Sequence, residues 1–243
     1  MKNSKKINLA LFLVFLSFEI IISQTTDEDL EAECTEYSID YKISINLAKY
    51  LENENNIDKR EIFSSLDDLK DKPVGIYEGS SLDGLTNTIE YDFVDEALKD
   101  IRSHKIDAFI CDSATANYTQ ITTSDLTLLP GSVGKIKIGY ACQKDSEIFN
   151  KLVEYLGENN DIVMNTYYKW MGINDDTKYI DKTLTGTNGV INAMFVSRNP
   201  PYVYKENGEQ VGCLIDTLYD FARKYGYQLN IKEATNPYEL VLP

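Results

Sequence analysis

Two short stretches carry the residues best suited to holding a small molecule. Gly79, Ser80 and Ser81 directly follow the apolar run KPVGIY and a single glutamate. A glycine there lets the backbone approach a ligand closely, and serine hydroxyls with exposed amides can grip a carboxylate or another small anion. The same residues also suit an ordinary turn or helix cap, and they lack the lysine of a phosphate-binding loop, which argues against a nucleotide. Asp112 ends the run DAFIC, at the edge where open parallel sheets hold ligands. A carboxylate there either pairs with a ligand ammonium or caps a helix starting near Ser113. An anion-receiving turn and a cation-receiving carboxylate at one sheet edge would complement a zwitterion. Tyr202 and Tyr204 follow the rigid Pro200-Pro201 pair, where one ring could stack on a small ligand or simply pack between elements. Asp216 reads as a cap or a surface charge, without a catalytic role.

Other chemistries find little material. The one histidine, His104, stands beside Lys105 at a polar helix end, which leaves zinc sites and histidine triads without ligands. Cys34, Cys111, Cys142 and Cys213 are widely spaced, so no metal site is expected; disulfides and buried thiols both stay open. The chain has no G-x-S-x-G elbow, no H-E-x-x-H helix and no local acid and base pair of the glycosidase kind, so no enzyme activity and no cofactor are expected. Its formal net charge of -15, with no long basic run, speaks against nucleic acid and against an anionic membrane surface. At 243 residues and 43% hydrophobic it can bury a sizeable core.

The elements that must position these residues follow from periodicity and punctuation. Residues 1–23 read as a signal peptide: Lys2, Lys5 and Lys6 precede the apolar run Leu9 to Phe18, and Ser23 offers a small residue before cleavage. The mature protein is then expected outside the cytosol, secreted or periplasmic. Residues 24–63 are poorly defined, though Ile43, Leu47, Ala48 and Leu51 suggest a short helix over 41–51. KPVGIY reads as a buried strand, EGSSLDG as a strand-to-helix turn, DFVDEALKDIRS as a helix and DAFICD as a second strand, together a parallel α/β unit. KIKIGYAC is strand-like. Two helices follow, over 146–156 and 161–171, and Gly172 stops the second. Residues 173–187 form a polar linker. VINAMFV then gives a strand, Asn207-Gly208 a hairpin, Leu214 to Tyr225 a helix stopped by Gly226, and YQLNIKE a strand. Asn117-Tyr118-Thr119 is a glycosylation sequon.

The stretch SSLDDLKDKPVGIYEGSS, the EAL helix, IDAFICD, KIKIGYACQKDSEIFNKLVEYL and YKWMG, in this order, resembles the second half of the family 3 solute-binding proteins. These are the bilobal amino-acid receptors of ABC importers, and the same fold forms the ligand-binding core of ionotropic glutamate receptors. The resemblance implies that Gly79, Ser80 and Ser81 receive a ligand α-carboxylate and that Asp112 holds its α-ammonium. From Thr187 onward, GVINAMFVSRNPPYVYKENGEQVGCLIDTLYDFARKYGYQLNI resembles the opening of lobe one, with Tyr202 matching the aromatic that borders the ligand. The resemblance therefore implies an α/β, type II periplasmic-binding-protein-like fold. One lobe is nearly complete (64–172, which also returns to lobe one) and the other is incomplete or rearranged (188–243). The order fits either a piece of a tandem array or a circular permutant. The arginine that clamps the ligand carboxylate has no counterpart; Arg198 precedes Pro200 instead. The implied function is non-catalytic binding of a polar amino acid in an interlobe cleft, with a membrane transporter or receptor as partner. The alternative is a degenerate receptor-like module that binds nothing alone or depends on a partner.

Overall fold

The computed structural model describes residues 63, 65–78, 80, 82–123, 125–129, 140–142, 146–173 and 180–236, and the backbone of residues 12–13, 32–34, 37–46, 135–138 and 143. In chain order the strands and helices are β1 (Phe12–Leu13), β2 (Ala32–Cys34), β3 (Tyr37–Asn46), β4 (Val74–Tyr77), β5 (Thr88–Tyr91), α1 (Val94–Arg102), β6 (Ala108–Asp112) and α2 (Ser113–Thr122). There follow β7 (Leu126–Leu129), β8 (Lys135–Ile138), β9 (Tyr140–Gln143), α3 (Glu147–Glu158) and α4 (Asn160–Trp170). The last elements are β10 (Val190–Val196), β11 (Arg198–Asn199), β12 (Val203–Glu206), β13 (Glu209–Val211), α5 (Cys213–Tyr225) and β14 (Gln228–Ala234). They sort into two compact units, one from residues 38–137 and the other from the chain on either side of it.

The first unit is a sheet in the order β5-β4-β6-β3-β7, with β8 also paired to β3. β4 runs parallel to both β5 and β6, whereas β3 runs antiparallel to β6 and β7. β4 and β6 are buried along their whole length, which is why both read as unbroken apolar runs instead of alternating ones. α1 lays Val94, Ala97 and Ile101 onto the sheet, and its acidic first turn and basic last turn complement the helix dipole. Beneath it Phe109 meets Tyr77 and Tyr91 edge to face, at 5.2 and 6.1 Å.

Three elements differ from the sequence expectation. Residues 37–46 form β3, not a helix over 41–51. EGSSLDG leads into strand β5 instead of a helix, and LTLL forms β7, an element the sequence pattern did not suggest. The sequon lies within α2, where Thr119 is buried, so Asn117 sits on a folded helix and not on an open loop.

In the second unit the parallel pair β10–β14 is joined through the β11–β12–β13 meander and α5. The two-residue turn Asn207-Gly208 closes the β12–β13 hairpin with φ of 53° and 84°, as the Asn-Gly signal requires. α5 buries Leu214, Ile215, Leu218, Phe221 and Ala222 and stops at Gly226 in the left-handed region. β9 pairs with β1 and β2. Among the described residues no ladder joins β9 to β10, yet both belong to the same compact unit. The return segment (β9, α3, α4) and the C-terminal segment (β10 to β14) share a core. Tyr140 donates its hydroxyl hydrogen to the Leu214 carbonyl at 3.1 Å, Tyr155 meets Phe221 at 5.6 Å, and Trp170 meets Tyr204 at 5.8 Å.

The deepest polar contact of this unit lies at the same junction. Lys169 Nζ and Trp170 Nε1 of α4 both donate to Asp216 Oδ2 of α5, each at 2.7 Å, and the Asp216 side chain is 3% exposed. Asp216 is therefore neither a cap nor a surface charge. Residues 180–189 are also held against the C-terminal segment: Gln228 Nε2 donates to the carbonyls of Leu184 and Gly186, and Asn188 Nδ2 to that of Tyr225. Cys111, Cys142 and Cys213 are buried.

Candidate functional site

The expected site residues fall on both units, and each unit is described by itself. In the first, the parallel register fixes which residues share an edge. β4 and β6 pair Val74 with Ala108 and Gly75 with Phe109, and β4 and β5 pair Tyr77 with Tyr91. Extending these registers past the strand ends brings Asp92, Glu78 and Asp112 level with one another, at the carboxyl edge of three neighbouring parallel strands. The Glu78 N–H donates to the Tyr91 carbonyl at 3.1 Å, which carries the alignment beyond β4. Ser80 lies two residues on, its N–H bonded to the Tyr77 carbonyl at 3.0 Å. Its hydroxyl oxygen is buried, with no hydrogen-bond partner among the described residues. Ser80 thus follows β4, and Asp112 ends the neighbouring parallel strand β6. Gly79 and Ser81 lie outside the described residues.

Asp112 has no exposed surface and caps α2. Its Oδ1 accepts the N–H groups of Ala114 and Thr115, both at 3.0 Å, and its Oδ2 accepts the Thr115 hydroxyl at 2.8 Å. These bonds satisfy amides that the first turn of a helix leaves without intrahelical partners. Of the two readings open in the sequence, a partner for a ligand ammonium or a helix cap, the cap is the one these bonds show.

Sequence reasoning passed over Glu78 and Asp92. Part of the signal was available, since Glu78 and Asp112 each directly follow an apolar run, GIY and FIC, whereas Asp92 follows the mixed strand TIEY. The Glu78 carboxyl is raised above its ordinary range, first by its hydrogen bond to the Asp92 carboxyl and then by that group's charge. The edge is therefore electronegative, partly offset by the α2 amides. Such an arrangement favours a positive group near the strand ends. Among the described residues no group of His, Cys, Asp and Glu could hold a metal ion.

Tyr202 belongs to the second unit and is fully buried. Its ring meets Tyr167 edge to face at 5.6 Å, and its N–H donates to the Asn199 carbonyl at 2.9 Å, across a cis Pro200-Pro201 bond. The Tyr202 carbonyl accepts the Leu214 N–H at 3.2 Å, so the turn and the start of α5 hold each other. Gly212 at this junction has φ 131°, and a Cβ there would lie 2.1 Å from the Tyr202 carbonyl oxygen.

No protein-family model and no curated protein sequence matches the chain. Among solved structures it is similar to a point variant of arginine-bound ArgBP from T. maritima, at 20% identity over 47% of this chain and 53% of that one, with a TM-score of 0.36. It is also similar to the AvGluR1 ligand-binding domain in complex with glutamate, at 18% identity over 60% and 63% of the two chains, TM-score 0.46. An ancestral arginine-binding protein bound to glutamine gives 21% identity over 58% and 64%, TM-score 0.42. The chain spans about half the length of the first of these, 53%.

Proposed function

We propose that this chain is a non-catalytic, exported binding protein for a polar amino acid, built on a type II periplasmic-binding-protein-like plan. The observation that supports this reading is the parallel pairing of β4 with β6, since Ser80 follows β4 and Asp112 ends β6 and caps α2. Gly79, Ser80 and Ser81 receive the ligand carboxylate and Asp112 its ammonium. Holding a solute reversibly asks for no bond-making residue. The packing of α4 on α5 supports the permuted arrangement, in which residues 188–243 supply a lobe-one opening to the returning chain. The leader at residues 1–23 directs the protein to the extracellular or periplasmic side, where a membrane transporter or receptor takes up the loaded form. Removing the leader also removes β1 and leaves β9 paired to β2.

A second reading, a receptor-like module that binds nothing alone, is favoured by one observation: Asp112 is sealed and already accepts three hydrogen bonds from its own helix. A thermal-shift panel of the common amino acids separates the two. A ligand at a hundred times its Kd stabilises the fold by about 2.7 kcal/mol, a rise of several degrees. The first reading expects that rise with one chemical group of amino acids. The second expects an unchanged melting temperature with all of them.

A further inference from the structure

The hydrogen bonds to Asp112 divide unevenly between its two oxygens. Oδ1 serves the helix, accepting the N–H groups of Ala114 and Thr115 at 3.0 Å each. Oδ2 accepts from a side chain, the Thr115 hydroxyl at 2.8 Å, and the two residues are 0% and 1% exposed. The cap stands on the two amides, and a valine at 115 would supply its amide equally well. A carboxyl group bonded through one oxygen can still turn about its Cβ–Cγ axis, which is a soft torsion. A donor on the second oxygen stops that rotation and fixes the plane of the group.

Helical threonines elsewhere in the chain use their hydroxyls differently. Thr122, Thr166 and Thr217 each donate to the carbonyl four residues earlier, those of Tyr118, Ile162 and Cys213. Four residues before Thr115 lies Cys111, inside β6, and the hydroxyl turns to the Asp112 carboxyl group instead.

We propose that Thr115 is a positioning residue of the candidate site: its hydroxyl fixes the plane of the Asp112 carboxyl group, and so the direction from which Oδ2 meets a ligand ammonium. The assignment rests on the reading that Asp112 receives that ammonium. A carboxyl group already held in plane loses less freedom when the ligand arrives, and the gain appears as affinity. The methyl group of Thr115 has no part in this, so serine serves in its place and valine does not.

Calorimetric titration of the full chain with each of the common L-amino acids, on the parent, Thr115→Val and Thr115→Ser, tests it. The Val variant is expected to bind the parent's preferred amino acid about tenfold or more weakly, and the Ser variant to bind within about threefold of the parent. The backbone amide resonances of Ala114 and Thr115 in the Val variant are expected to stay at their parent positions, which shows that the cap is intact while affinity is lost. Parent-like affinity in the Val variant, or no recovery with serine, overturns the role of Thr115 and leaves the binding reading standing. Flat traces from folded parent protein overturn the binding reading and Thr115 with it. If Thr115→Val does not fold, Thr115→Cys, whose thiol is a weak donor, takes its place with the same expected loss and the same overturning result.

Discussion

Asp112 is the residue on which the functional reading turns, because the cap and the ligand contact ask different things of it. Asparagine caps a helix about as well as aspartate but carries no charge. Asp112→Asn is therefore expected to leave the melting temperature within a few degrees of the parent, whereas Asp112→Ala costs about 1 kcal/mol or more through loss of the cap, as denaturant midpoints would show. Asp216 presents a different case. Removing its charge strands Lys169 in the interior, and Asp216→Asn should cost about 3–5 kcal/mol in urea unfolding. Replacing the pair together, as Lys169→Met with Asp216→Leu, should recover most of that loss; no recovery would show that the pair itself is a net source of stability.

Two carboxylates give opposite pH signatures. Asp100 is held below its ordinary range by hydrogen bonds from Lys105 first and Tyr91 second. Its contribution is present above the ordinary carboxylate value, about 4, and fades as pH falls through the depressed one. Asp216 is raised because burial outweighs the bonds from Lys169 and Trp170. Its titration therefore favours the fold below the ordinary value, and that gain fades as pH rises through the raised one. Stability curves of Asp100→Asn against the parent should converge in acid and separate toward neutral pH. Convergence at neutral pH instead would remove the Asp100 network from the account.

At the scale of elements, α1, α3, α5, β4, β6 and β10 were legible because each carries one clean period or one unbroken apolar run bounded by turn residues. The helix expected over 41–51 shows how two periods can overlap. Ile43, Leu47, Ala48 and Leu51 fit a helical face, while Tyr37, Ile39, Tyr41, Ile43 and Ile45 alternate at period two. Sheet pairing with β6 and β7 settles the conflict in favour of the strand. β5 and β7, four residues each, are too short for periodicity to mark. Asp216 was misjudged because its partners lie 46 and 47 positions away, a separation that no local pattern reports. The start of α5 supplies a sharp element-level test. Gly212→Ala forces a Cβ against the Tyr202 carbonyl at a backbone conformation that only glycine adopts easily, and should cost about 3 kcal/mol or more by thermal unfolding. A loss below about 1 kcal/mol would show that the turn can yield.

At the scale of the whole chain, the second unit joins stretches that lie on either side of the first in sequence. The return segment and the C-terminal segment bury a common core although residues 173–187 read as a linker. Residues 180–189 have no regular secondary structure, and side-chain bonds pin them in place. Asp112 was legible in the sequence as a residue at a strand end and a helix start, and it caps α2. The level at which Glu78 and Asp92 stand beside it was not, because register between strands emerges only on folding. Isothermal titration calorimetry of the folded protein against the common amino acids, run in parallel on Asp112→Asn, tests the binding account most directly. The account predicts one saturating 1:1 isotherm for the parent and an affinity at least tenfold weaker for the equally stable variant. Flat traces from folded parent protein, or equal affinity in both, would contradict it.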